Sequence, residues 1–303
     1  MLPILLTILP IFFIILLGKI FKSSFLKNED FWRDSEKITY YVLFPALLIK
    51  SLLNTSFYGH LHQAVMAVAF ATLILSAFFI LMQFIIKVER RAFTSMFQGG
   101  IRYNSYIFIG VAAALYGAEG ISTVAIIIAY MIVLTNVLSV IVLDAYLSNR
   151  RSNVFLIMRN IAKNPLIIAT VIGVIFNPLK DEIPNAISVF LGYLGDASLP
   201  LSLLCVGAGL KFQKAYEHWG SIFSTSVAKL ILLPFVAMIL LSILGVTGLP
   251  KAIAILYAAA PCAGNAYILS QQMGGDSDMM AAIISATTLL SIITIPIVLV
   301  LMH

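Results

Sequence analysis

Long apolar stretches recur along this chain, separated by short connections that hold most of its charge. They run roughly from Leu2 to Phe21, Ile38 to Leu53, His62 to Ile86, Ala92 to Tyr116, Ile121 to Leu147, Ile161 to Phe176, Pro184 to Leu210, His218 to Leu244, Lys251 to Met273 and Asp278 to Leu301. A helix crosses the hydrocarbon core of a bilayer with about 20 predominantly apolar residues. The pattern therefore predicts an all-α integral membrane protein with ten transmembrane helices. Leu2 to Phe21 has neither the basic leader nor the small-residue cleavage site of a signal peptide, so it is expected to remain as the first span.

Composition agrees with that pattern. Of 303 residues, 61% are hydrophobic and 11% charged, and the mean hydropathy is +1.04, far from a soluble domain. The net charge of +6 does not imply a nucleic-acid partner, because the basic residues sit in short loops where they meet lipid headgroups and set orientation. Lys19, Lys22, Lys27, Arg33 and Lys37 open a series in the odd-numbered connections that reaches fourteen; the even-numbered ones hold only Lys180 and Lys251. The positive-inside rule then places the odd connections in the cytoplasm and both termini outside, in a multi-pass protein of the cell membrane. The longest polar connection, Ser148 to Asn160, divides the chain into halves 1–150 and 151–303 of five spans each. Five is odd, so the halves would lie in opposite orientation, as a 5+5 inverted repeat.

Two spans are interrupted at corresponding places. Arg102-Tyr103-Asn104-Ser105-Tyr106 falls inside the fourth, and Pro261-Cys262-Ala263-Gly264-Asn265-Ala266-Tyr267 inside the ninth, with Asn104-x-Tyr106-Ile107 matching Asn265-x-Tyr267-Ile268. Paired interruptions of this kind point to a midplane binding site in a secondary transporter. Pro261 and Gly264 are expected to break the ninth span, and Gly99-Gly100 the fourth. Asn104 and Asn265 suit the caps of the half-helices that follow, whose positive ends would face an anion; tying helices together is the other role open to them.

Arg102 is the sharpest single residue. A guanidinium at mid-bilayer depth needs a cavity, a carboxylate or an anionic ligand, unless the span starts later and the side chain reaches an interface. Lys50 and Lys229 lie close enough to span ends to reach one. Among the acids, Asp196 alone could sit inside, and the fifth span has Asn136 at its centre where a cation/proton antiporter would need a carboxylate. Cys205 and Cys262 read as small buried hydrophobes. No phosphate loop, His-Glu-x-x-His or Gly-x-Ser-x-Gly motif is present. Neither an enzyme nor a cofactor is expected.

Several runs resemble a known family: the opening Leu2-Pro3-Ile4 to Gly18, Tyr40-Tyr41-Val42-Leu43-Phe44-Pro45-Ala46-Leu47-Leu48, Asn104 to Gly117, Pro200 to Leu210, and Pro261 to Pro296. Together, over essentially the whole chain, they are similar to the auxin efflux carrier family, which includes plant auxin exporters and bacterial malate or malonate permeases. The resemblance implies one membrane transporter domain with the fold of sodium/proton antiporters and bile-acid symporters, in which broken helices 4 and 9 cross. It also implies a scaffold of spans 1, 2, 6 and 7, a moving domain of spans 3–5 and 8–10, and a homodimer joined through the scaffold. The family's crossover positions fall on Asn104 and on Pro261 through Asn265. Arg102 and Tyr103 depart from the small or apolar residues of many relatives and favour a compact anion paired with a guanidinium.

The expectation is a secondary active transporter that carries a small organic anion, a carboxylate, by elevator-type alternating access, with a proton or sodium ion as candidate coupling partner. Its substrate site would comprise Arg102, Tyr103, Asn104 and Ser105 from the first half, Pro261, Gly264, Asn265 and Tyr267 from the second, and Asn136. A sodium-coupled symporter of bile-acid type and a membrane sensor that binds without translocating are the rival readings.

Overall fold

The computed structural model describes residues 2–53, 61–147, 159, 162–211 and 218–301. Helices account for all of its regular structure among these residues: α1 (Leu2–Ser24), α2 (Glu29–Ile38), α3 (Phe44–Leu53), α4 (Leu61–Ile86), α5 (Arg90–Ile101), α6 (Ser105–Leu147), α7 (Pro165–Phe176), α8 (Asn185–Gly209), α9 (Trp219–Val227), α10 (Leu233–Ile243), α11 (Gly248–Ala259), α12 (Ala266–Met273) and α13 (Ser277–Leu301). Six helical runs among them are long and apolar enough to cross a membrane: Leu2–Ser24, Leu61–Ile86, Arg90–Leu147, Asn185–Gly209, Trp219–Ile243 and Ser277–Leu301. The Ser148–Asn160 connection expected to divide the two halves lies almost wholly outside the described residues.

Two π-helical turns precede prolines. Thr39–Leu43 leads into Phe44-Pro45, and Ala228–Leu232 into Leu233-Pro234. A proline ring collides with the carbonyl four residues back and brings no N–H to it. Widening the turn by one residue relieves both faults: Phe44 N–H bonds to the Thr39 carbonyl, and Leu233 N–H to that of Ala228. α6 is not one straight rod either. Gly117 adopts φ 59°, ψ −145° within it, a conformation that suits glycine and falls between the expected fourth and fifth spans.

One element went unforeseen. The stretch read as the first cytoplasmic connection folds as α2, with Asn28 Oδ1 accepting from Asp30 N at 2.8 Å as its cap. Its Trp32 is buried against Cys205 and Ala208 of α8 and donates Nε1–H to the Leu26 carbonyl at 2.7 Å.

The helices pack in two groups. α1 and α3 lie along α8, and α3 also along α7; α4, α5, α6, α9, α10, α11, α12 and α13 pack among themselves. α1 and α8 approach closely because a Cβ on Gly18 would run into the Leu204 carbonyl, and one on Gly207 into that of Ile15. α6 supplies most of the contact between the groups, with a smaller share from α1 against α13.

Candidate functional site

The two interruptions form one structure. α5 stops at Ile101, Arg102 turns extended at φ −79°, ψ 152°, and α6 begins at Ser105; α11 stops at Ala259 and α12 begins at Ala266. An unpaired backbone amide in a membrane interior costs several kcal/mol, so each break needs partners. Asn104 N–H donates to the Pro261 carbonyl at 2.7 Å, Arg102 N–H to Gln98 O at 2.9 Å, and Ala260 N–H to Tyr257 O at 3.2 Å. Cys262 N–H reaches Thr287 Oγ1 on α13 at 3.2 Å. Gln98 Nε2 adds a side-chain tie to Ser270 Oγ of α12 at 2.9 Å.

The asparagines, expected to act alike, divide the work. Asn104 Oδ1 accepts from Tyr106 N at 3.0 Å and Ile107 N at 3.1 Å, which is an N-cap. Asn265 makes no such cap; its Oδ1 accepts from Arg102 Nη2 at 3.0 Å, while Ala266 N and Tyr267 N bond to the Ala263 and Gly264 carbonyls. The expectation that Gly99-Gly100 breaks the fourth span is corrected. Both glycines stay inside α5, where a Cβ on Gly100 would strike the Phe79 ring and one on Gly99 would crowd Ile283 and Thr225. They serve close packing, and the break starts at Arg102.

A cavity of about 670 Å³ opens from the crossing toward Lys22, Arg33, Lys37 and Lys211, all from the odd-numbered connections. Its volume is that of an ordinary small-molecule site. Of the nine residues expected at the site, eight line it: Arg102, Tyr103, Asn104 and Ser105, then Gly264, Asn265 and Tyr267, then Asn136. Pro261 does not; it contributes its carbonyl to Asn104 from behind. Tyr103 turns its hydroxyl inward, 3.4 Å from the Ile128 carbonyl, and packs edge-on against Tyr257.

Arg102 is only 6% exposed, so its guanidinium does not reach the membrane surface. Asn265 fixes Nη2, and Nη1 has no hydrogen-bond partner among the described residues. The other cations part ways. Lys50 lies 3.9 Å from Asp196, both partly or largely exposed on the outer side of α3 and α8, so neither faces the cavity. Lys229, expected close enough to a span end to reach an interface, is 0% exposed. Cys205 and Cys262 are buried free thiols, as expected.

The sequence did not single out Tyr40, Thr135, Asn164, Glu36 or Lys211, all of which line the cavity. Asn164 had a legible signal, since it precedes Pro165 and caps α7 through Leu166 N at 2.9 Å. Charges at the mouth are tuned by their neighbours. Lys22, 2.8 Å from Glu29, holds that carboxyl below its usual range, whereas burial pushes the Glu36 carboxyl up. Lys211 Nζ stands 5.1 Å from the Tyr267 ring centroid. Among the described residues no group of three or more His, Cys, Asp or Glu side chains is placed to hold a metal ion.

A long-helix bundle with two interrupted helices meeting at a buried, cavity-lined crossing is the architecture of a membrane transporter. The family described as membrane transport protein, the auxin efflux carrier family, matches residues 3–299, and the chain belongs to it. Over 140 residues it is 32% identical to a Rhizobium meliloti protein named "Putative malonate transporter", covering 46% of this chain and 44% of that one. An uncharacterized transporter of Methanothermobacter thermautotrophicus is 29% identical over 141 residues, 46% of each chain. Another, from Methanocaldococcus jannaschii, is 27% identical over 197 residues, 62% of each. The matched segments thus span about half the length of these relatives.

Proposed function

We propose that this chain is a secondary carrier for a small organic anion, with a carboxylate such as malonate as the substrate class, working by alternating access at the crossing. The observation that carries this reading is Arg102: a buried guanidinium in the wall of a 670 Å³ cavity, oriented by Asn265 through Nη2 and with Nη1 lacking a hydrogen-bond partner among the described residues. A fork of donors held in place is suited to a carboxylate, which it can meet with two parallel hydrogen bonds. The name of the Rhizobium meliloti relative supports the same substrate class.

On this reading the ten spans form two inverted halves. α1, α3, α7 and α8 are the scaffold, and the remaining membrane helices move against it as an elevator. The packing of the helices in two groups supports that division. So does one peptide: Lys19 of α1 donates to the Leu210 carbonyl at 2.7 Å, while Ser285 of α13 lies 2.8 Å from both the amide and carbonyl of Lys211. The chain passes from one group to the other within a single residue, as a hinge would. Homodimerisation through the scaffold is part of the reading, since Asp196 lies about 16 Å along α8 at 1.5 Å per residue, and an exposed Lys50–Asp196 pair at membrane depth is disfavoured against lipid. With odd connections in the cytoplasm of a cell-membrane protein, the cavity faces inward and both termini lie outside.

Counterflow in proteoliposomes tests the proposal. Vesicles preloaded with malonate should take up labelled malonate against its gradient, and acetate or succinate in the bath should compete if they share the site. A protein that binds malonate but gives no counterflow would be a sensor and not a carrier.

A further inference from the structure

Close to Tyr257, and not among the residues that line the cavity, lies a second cation with no evident structural task. Lys229 sits in the π-helical turn Ala228–Leu232, onto which α5, α11 and α13 pack, and it is completely buried. Its Nζ has no hydrogen-bond partner among the described residues. A methionine or leucine would fill the same space without a charge to house. π-turns of this kind are frequent at functional sites.

Among the described residues, the groups around Lys229 include no carboxylate. α11 presents Tyr257, whose ring centroid is 5.6 Å from Nζ. The second break contributes Cys262, within electrostatic reach of both Lys229 and Arg102. α5 brings Arg102 and Tyr103 at its end, with its other cations, Arg90 and Arg91, in its first turn. α13 offers Thr287 and Thr288, the latter also without a hydrogen-bond partner, and its one acid, Asp278, is in its first turn. α9 and α10 carry no other ionisable side chain. The ring face of Tyr257 favours a cation, yet an ammonium without an anion in a dry interior remains costly. Lysine, unlike arginine, escapes that cost by giving up its proton. An anion held by Arg102 would reverse the balance, because charges separated by low-dielectric protein interact strongly.

We propose that Lys229 is a proton-binding site linked to the anion site, an amine while the crossing is empty and an ammonium when a carboxylate occupies it. The inference rests on the carrier reading above. In the linked step the Nζ lone pair takes one proton delivered from water, and anion and proton are released together on the far side. Of a dicarboxylate's two charges, Arg102 would offset one and the new ammonium the other. Linkage requires reciprocity: proton binding at Lys229 must strengthen anion binding by the same factor by which the anion strengthens proton binding.

Calorimetric titration of the purified full chain with malonate near neutral pH, in two buffers of different ionisation enthalpy, counts protons taken up per anion bound. Wild-type protein should take up close to one. Lys229→Met should bind malonate more weakly with no uptake, and Lys229→Arg, which stays charged, should bind with no uptake; the arginine variant keeps the charge and carries the test if the methionine variant does not fold. Binding by the wild type without proton uptake, or undiminished uptake in either variant, overturns the inference and leaves the carrier reading intact. No binding of malonate or other small carboxylates by folded wild-type protein removes the carrier reading itself, and this inference with it.

Discussion

The backbone N–H of Asn104 donates to the Pro261 carbonyl at 2.7 Å, so two helix breaks more than 150 residues apart in sequence are joined by a direct hydrogen bond. Neither break can straighten without unmaking it. The two asparagines beside this bond then differ in what they hold, and their substitutions should differ too. Asn104→Ala loses the cap on α6 and should lower stability by about 1 kcal/mol. Asn265→Ala frees Arg102 and should cost less stability, because Asn265 is exposed and water can take its place, while slowing malonate counterflow about tenfold, the loss expected when a part-buried hydrogen bond to a charge is unmade. Thermal unfolding in detergent and counterflow on the same preparations separate the two effects. Equal loss of stability in both variants would contradict the division of roles.

Arg102 should discriminate by geometry as well as charge. Lysine keeps the charge and loses the planar fork, so Arg102→Lys should bind malonate measurably but weakly, and Arg102→Gln hardly at all. Comparing malonate with its neutral diamide isolates the electrostatic part. The carboxylate should lose far more affinity than the amide when Arg102 is neutralised; equal losses would mean that Arg102 holds the fold together and does not meet the substrate.

Glu36 predicts a pH dependence of stability. Burial raises its folded-state pKa above the ordinary value of 4.5, so the native protein binds more protons than the unfolded chain in the window that begins there and extends upward. The sign follows from linkage: this group makes stability fall as pH rises through that window, and its full contribution is present only below it. Glu36→Gln should therefore be more stable than wild type at neutral pH, with the gap closing as pH drops toward the ordinary carboxylate value. Melting temperatures recorded across that range read the effect directly, and a gap that widened on acidification would count against it.

Membrane orientation is open to chemical labelling. Lys27 and Asp181 are both exposed, one between α1 and α2 and the other between α7 and α8. The native thiols Cys205 and Cys262 are buried, so background should be low. An impermeant maleimide applied to intact cells should modify Asp181→Cys and spare Lys27→Cys; the reverse pattern would invert the cavity to face outside.

The sequence by itself determined that the chain lives in a bilayer and that two of its membrane segments are interrupted. An arginine and asparagine, or a proline and glycine, inside an apolar run leave few structures in which the freed backbone groups find partners, and that constraint is local. It could not say where the first break begins. Gly99 and Gly100 are local helix breakers, yet they remain helical because Phe79, Ile283 and Thr225 close over them from other helices. The same holds for Lys229, whose distance from a span end suggested an interface until the packing of α5, α11 and α13 enclosed it. α2 was hidden for the opposite reason: its polar sequence reads as a loop, and only the docking of Trp32 on Cys205 and Ala208, far along the chain, gives its apolar side a place to be buried. Asn265 shows the rule at the site itself, since a residue shaped to cap a helix holds Arg102 instead, a partner 163 positions away that no local pattern could nominate.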